Sequence, residues 1–197
     1  MYEAIRDPYC FAGTKVLKNK FGLRDQKDID RLEFVLTAQR MAEGLPRGRL
    51  TVSHYKAIHH HLFQDIYDWA GKFRIVRIAK GKSMFCYPEH IDRQMRLLFS
   101  KLKEETSSGG MESHQIATTT ANFISDLNAI HPFRDGNGRC QLAILAVMCE
   151  HMGLPADISK LQPRAFLRAM IAGFQGELSP LTREIDRLLR QRPGKSR

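Results

Sequence analysis

His131-Pro132-Phe133-Arg134-Asp135-Gly136-Asn137-Gly138-Arg139, running straight into the apolar stretch Cys140 to Cys149, decides how this 197-residue chain is read. Upstream, Ile116, Phe123, Ile124, Leu127 and Ile130 recur at helical spacing and predict a helix from about Ser113 to Ile130, ended by Pro132. Downstream, Leu142 to Met148 is apolar nearly all round, which predicts a helix at the centre of a bundle. Between the two, Gly136-Asn137-Gly138 tolerates positive φ, so successive backbone N–H groups can point into one concavity and take up an anion. The N-terminus of the following helix adds roughly half a positive charge. Arg139 is the wrong sign for that dipole alone, and the right residue if a phosphate sits there to be gripped by a guanidinium. Asp135 beside a phosphate calls for a bridging Mg2+. His131, with a reference pKa of about 6.5, suits a general base. The plain alternative is an interhelical turn with His131 as a dipole partner. It explains the glycines but not a base, a carboxylate, an anion nest and an arginine in one short loop.

Outward from the loop, the pattern is helical almost throughout. Residues 1–25 read as an irregular lead-in with one amphipathic turn from Lys15 to Lys20. Ile29, Leu32, Val35, Leu36 and Met41 set out a helix from Asp28 to Ala42, stopped at Gly44-Leu45-Pro46. Thr51 is an N-cap for a second, whose stripe is Val52, Tyr55, Ile58, Leu62, Phe63 and Ile66. After Gly71 the period changes. Residues 73–78 and 84–87 are short β-prone runs around Lys80-Gly81-Lys82, a hairpin signal. Pro88 opens a helix to about Glu105, Ser107 to Gly110 is a loop, and helices near 163–173 and 179–191 complete the chain. The expectation is an all-α domain carrying one small β-hairpin.

Composition narrows the class. One domain, 1–197, with a core at about 7–190 and a basic tail at 191–197, suits this length. No run is long and apolar enough for a membrane span, and MYEAIRDPYC is no signal peptide. Cys10, Cys86, Cys140 and Cys149 form no CxxC pair and read as reduced thiols in a cytoplasm. The net charge of +10 favours polyanions. The excess is partly terminal and lacks interleaved aromatics, which argues against a nucleic-acid site and for an acidic protein partner. His59-His60-His61 points around a helix and cannot readily share one metal ion, and Trp69 reads as a core or hairpin anchor.

HPFRDGNGR resembles the signature of Fic (filamentation induced by cAMP) domain proteins, HxFx(D/E)GNGRxxR, at every fixed position but the last. Asp7-Pro8-Tyr9 with Val16 to Lys20, His59 with Tyr67 to Arg74, and Ile78 to Gly81 with Met84-Phe85 are similar to further family segments. The resemblance implies a Fic-type helical bundle with a hairpin flap over the active site. It implies transfer of AMP from ATP to a Ser, Thr or Tyr hydroxyl of a target protein. His131 would be the catalytic base and Asp135 the Mg2+ ligand. Gly136, Asn137, Gly138, Arg139, Lys80 and Gly81 would contact nucleotide, and Phe133 would anchor the loop. Ile78, Met84 and Phe85 would form the target-docking flap. Leu142 stands where the signature has its second arginine, so either Lys80, Lys82 or Arg164 substitutes, or another nucleotide donor is used. A Fic-fold enzyme that transfers another phosphate-containing group is a further enzymatic alternative, and a catalytically degenerate binding module is the non-enzymatic one. The family's inhibitory string [ST]xxxE[GN] does not occur. That implies a toxin restrained by a small separate antitoxin, or a secreted effector acting in a host cytoplasm.

Overall fold

The computed structural model describes residues 7–80, 83–107 and 109–189. Seven α-helices are described: α1 (Gln26–Ala42), α2 (Val52–Phe63), α3 (Pro88–Thr106), α4 (Ser113–Ile130), α5 (Asn137–His151), α6 (Pro163–Phe174) and α7 (Ser179–Leu188). Between α2 and α3 lies a two-stranded antiparallel ribbon, β1 (Ala79–Lys80) and β2 (Ser83–Met84). The all-α architecture expected from the periodicity is the one observed.

Helix starts follow local chemistry. The Asp25 carboxylate accepts from the Lys27 and Asp28 N–H groups ahead of α1, and the Thr51 hydroxyl accepts from His54 N–H ahead of α2. Pro88 and Pro163 open α3 and α6, where a missing N–H costs nothing. Glu112 and Gln115 form a reciprocal capping box on α4. Buried residues of α3 (Ile91, Met95, Leu98, Phe99, Leu102) recur at three- and four-residue steps and bury one stripe against α4.

α4 is the hub, packing against α3, α5, α6 and α7, while α5 lies between α4 and α2. The central place expected for α5 therefore belongs to α4. Its small residues Ala117, Thr120, Ala121 and Ser125 are buried along with its large ones and let neighbours approach on several sides. On α1 the helix forms as expected, but Val35 and Met41 stand 59% and 46% exposed. Ile29 and Thr37 are buried instead, with Leu32 and Leu36 packed partly against the core.

Among the described residues the β-prone runs pair at Ala79↔Met84 and Lys80↔Ser83, with one further bond across the legs from Phe85 N–H to the Ile78 carbonyl (3.3 Å). Elsewhere their N–H groups bond to other elements: Arg74 N–H to the Pro132 carbonyl (2.9 Å), Ile75 N–H to the Tyr9 hydroxyl (3.2 Å), Cys86 N–H to the Ala129 carbonyl (3.1 Å). The ribbon is short because its legs are tied to the bundle. α7 ends at Leu188, and Leu189 bridges to Ala156. The expected basic tail at 191–197, and Gly81 and Lys82, lie outside the described residues.

Candidate active site

The loop between α4 and α5 is built from both ends. His131 is the C-cap of α4, at φ 49° and ψ 63°, the one non-glycine residue at positive φ among those described. A left-handed conformation costs a non-glycine residue about 1–2 kcal/mol. It closes the helix: the His131 N–H reaches the Leu127 carbonyl (3.0 Å), and Pro132 cannot extend the ladder. The His131 ring stacks on Phe85, with centroids 3.9 Å apart and planes 15° from parallel. Its Nδ1 lies 3.3 Å from the Asn128 carbonyl, which selects the tautomer with the proton on Nδ1 and the basic lone pair on Nε2.

From Phe133 to Asn137 the loop is clamped by its own side chains. Phe133 is fully buried among His59, Tyr55 and Phe73. The Asn137 amide accepts from Phe133 N–H (3.0 Å) and donates to the Phe133 carbonyl (2.8 Å). Asp135 Oδ1 accepts from Gly136 N–H at 2.6 Å. Gly136 is at φ 77°, and a Cβ there would come within 2.4 Å of the Phe63 ring, so both backbone and space demand glycine. Arg134 forks onto one oxygen of Asp7 (2.9 and 2.7 Å), fastening the N-terminal segment to the loop.

Gly138 differs from its neighbours. It is helical and exposed, and a Cβ there would meet nothing within 4 Å. Glycine in a helix costs about 0.5–1 kcal/mol relative to alanine. Neither backbone nor packing asks for it, so the open space over the first turn of α5 points to a ligand approaching the main chain. The Gly136 N-cap offers no side-chain cap, and the first-turn N–H groups at 137–139 have no preceding helical carbonyl to bond. Arg139, in the same first turn, lies over the Phe63 ring at 4.7 Å and is paired with the Glu33 carboxylate of α1. Glu33 also accepts from the Tyr67 hydroxyl at 2.5 Å; burial, with that carboxylate beside it, pushes the Tyr67 phenol well above its usual pKa.

The Fic/DOC family profile matches residues 49–149, which contain the loop, the ribbon, α2 to α4 and all but the end of α5. The chain belongs to the Fic/DOC family. It is 44% identical over 189 residues to the probable protein adenylyltransferase y4lH of Sinorhizobium fredii, covering 95% of this chain and 98% of that one. It is 31% identical over 180 residues to the probable protein adenylyltransferase Fic of Escherichia coli, covering 89% and 88%. In fold it matches the BepC protein of Bartonella tribocorum, a structure with bound AMPPNP, at a TM-score of 0.85 and 21% identity over 93% and 97% of the two chains.

Within this Fic loop the structure gathers His131, Asp135, Gly136, Asn137, Gly138 and Arg139 on one segment, but their side chains are not all turned outward. The Asn137 side chain is buried inside the loop it clamps, which leaves its backbone N–H, the group expected at the anion pocket, in the first turn of α5. Phe85, expected on the docking face, is buried against His131, because the β2 leg is drawn in by the Cys86 bond to Ala129. Met84 is exposed and Ile78 half-buried, with Ile78 accepting from Phe85 N–H. Lys80 pairs through its backbone with Ser83; the expected nucleotide contact of Gly81 falls outside the described residues. Leu142 packs half-buried against the core, and Arg164 is exposed on α6. His59, His60 and His61 diverge as expected. His59 is inside, His60 is exposed, and His61 Nε2 lies 2.8 Å from the Arg40 carbonyl.

Two supports of the loop, His59 and Arg74, lie in the segments similar to the family's, but nothing in the sequence pattern shows what they hold. His59 is fully buried; its Nε2–H donates to the Asp135 carbonyl (3.0 Å) and its Nδ1 accepts from Gly71 N–H (2.9 Å). Burial depresses its pKa to about 4, so it serves as a neutral strut. Arg74 is 2% exposed, and its guanidinium donates to the carbonyls of His131 (2.8 Å), Val76 (2.7 Å), Cys86 (2.6 Å) and Ile130 (3.2 Å).

Proposed function

We propose that this Fic/DOC protein is a protein adenylyltransferase, moving AMP from ATP to a Ser, Thr or Tyr hydroxyl of a target protein. The observation that carries the proposal is Gly138: a loop held rigid by Asn137, His59 and Arg134 leaves open space over the N-terminus of α5. That is where a polyphosphate finds main-chain donors and the positive end of a helix dipole. The relatives named protein adenylyltransferases support the choice of reaction.

In the reaction the target oxygen attacks the α-phosphorus in line, and the bond from that phosphorus to the β-phosphate bridging oxygen breaks. Pyrophosphate leaves with the bond's electron pair. His131 Nε2 takes the hydroxyl proton, while its Nδ1–H stays on the Asn128 carbonyl. The N–H groups of Gly138 and Arg139 and the Arg139 guanidinium receive phosphate charge, and the loop arrives at the reaction already ordered. Asp135 is exposed and has committed only Oδ1 to the loop, and among the described residues no cluster of three metal-ligating side chains occurs. One carboxylate with substrate phosphates and water is how Mg2+ is commonly held, so the residues fit that ion. Mg2+ bound there would neutralise charge on the leaving pyrophosphate. Met84 and Ile78 on the ribbon would dock an extended stretch of target by main-chain pairing. A target protein and a small acidic antitoxin are the partners proposed, the second supported by the +10 charge. No described helix is long and apolar enough to cross a membrane.

Leu142 favours a second reading of the donor alone, since α5 offers no cation at that position and another nucleotide can replace ATP. The test is label transfer to protein in a cell extract from α-labelled ATP, with unlabelled GTP, CTP and UTP as competitors. Transfer abolished by His131→Ala is expected. Label moving from γ-labelled instead of α-labelled ATP, or transfer indifferent to His131→Ala, would overturn the proposal.

A further inference from the structure

A buried arginine normally meets a carboxylate, and Arg74 does not. Every hydrogen bond its side chain makes goes to a main-chain carbonyl. Taking a guanidinium out of water without a counter-charge costs several kcal/mol, so the place must return something specific. Part of the compensation is the C-terminal end of α4, where the helix dipole is negative and the last carbonyls lack N–H partners. With its own N–H on the Pro132 carbonyl at 2.9 Å, Arg74 engages three consecutive carbonyls, Ile130, His131 and Pro132. The same fork reaches Val76 on the leg entering the ribbon and Cys86 on the leg leaving it.

These contacts centre on the strained residue. His131 holds a left-handed backbone, and its carbonyl direction is fixed by Arg74 Nε. Its ring direction is fixed by Phe85, one residue before the Cys86 carbonyl that Arg74 also holds. We infer that Arg74 is a positioning residue for the transfer reaction. It locks His131 in its left-handed conformation and ties both legs of the ribbon to it, so that the docking element and the base move as one body. Lysine cannot take its place, because a single ammonium cannot span coplanar acceptors on three segments.

The inference rests on the adenylyltransferase reading, and its test separates the two. Arg74→Lys and Arg74→Gly would be compared with the natural protein in α-labelled ATP transfer to an extract, and in histidine 13Cε1 NMR. The His131 signal would be assigned by its loss in His131→Ala. Expected are a fall in kcat of about 10- to 100-fold for Arg74→Lys, the size that about 1 Å of misplacement produces, and a KM for ATP within about twofold of the natural protein's. The His131 signal should shift, and its pH titration should change, while the His59 signal stays. Guanidinium ion should restore at least part of the activity of Arg74→Gly. Unchanged kcat in folded Arg74→Lys, or lost activity with an unmoved His131 signal, would overturn the inference. So would collapse of both variants to unfolded chain, which would make Arg74 a residue of stability alone. If the natural protein transfers no label, the functional reading fails, and the His131 signal in Arg74→Lys still decides whether Arg74 positions it.

Discussion

Acid should drain stability through His59 from about pH 6.5 downward, above the range in which ordinary carboxylates titrate. The ring is fully buried between Phe133 (3.8 Å between centroids) and Phe63 (4.7 Å), and both nitrogens are committed. Nδ1 is an acceptor for Gly71 N–H, so a second proton would set N–H against N–H. Burial is the main cause of the depressed pKa, and Arg139 and His60 nearby push the same way, giving about 4 against an ordinary 6.5. The unfolded chain therefore binds a proton below pH 6.5 that the folded chain refuses until about pH 4. Stability from this residue is whole above pH 6.5 and drains as pH falls, at about 1.4 kcal/mol per unit, levelling below pH 4 after a loss of roughly 3 kcal/mol. His59→Gln keeps an amide donor for the Asp135 carbonyl and removes the titration. At pH 7 it should cost about 1–2 kcal/mol through lost ring packing. By pH 4.5 the wild type should have lost about 2–3 kcal/mol that the variant keeps, so the order of stability should reverse. Urea unfolding of both proteins from pH 7.5 to 4.5 reads this directly. A gap between them that stays constant across the range would refute the neutral-strut assignment.

Asn137→Ala would strip both partners from the Phe133 backbone, which is buried. Two unsatisfied polar groups should cost about 2–4 kcal/mol in urea unfolding, with α-labelled transfer lost well before the fold is. Glu33→Gln would release Arg139 from its ion pair and remove a carboxylate that repels phosphate. The Kd for ATP by calorimetry should tighten about fivefold, equivalent to roughly 1 kcal/mol; weakening would show that Glu33 holds Arg139 ready for phosphate.

The helices were legible because their signals are local. α4 starts and stops where its spacing and Pro132 say, since a capping box, a 3.6-residue period and a helix breaker act within a turn of themselves. What misled was also physical. Val35 and Met41 match the helical period of α1 as well as Leu32 does, and only the place of α2 decides which face is covered. The ribbon legs have β propensity, yet their N–H groups found carbonyls on α4 and the loop first, a contact no window of sequence contains. The loop's supports are remoter still. Arg74 and His131 are 57 residues apart, His59 and Asp135 76, Glu33 and Arg139 106, Asp7 and Arg134 127.

This separation explains why the nine-residue signature reads as one catalytic object while doing two jobs. Phe133, Gly136 and Asn137 face inward, and Arg134 is spent on Asp7. His131, Asp135, Gly138 and Arg139 are the residues the proposed reaction draws on. Two glycines flank Asn137 in the same string for opposite reasons: Gly136 because a side chain would strike Phe63, Gly138 because, among the described residues, a Cβ there would meet nothing within 4 Å. A residue that the protein's own packing explains is weak support for a ligand. One it leaves unexplained is stronger support, and on that criterion Gly138 supports the proposed nucleotide site more firmly than the rest of the turn. By the same criterion Arg74, costly to bury and aimed at the base, has its reason in the base.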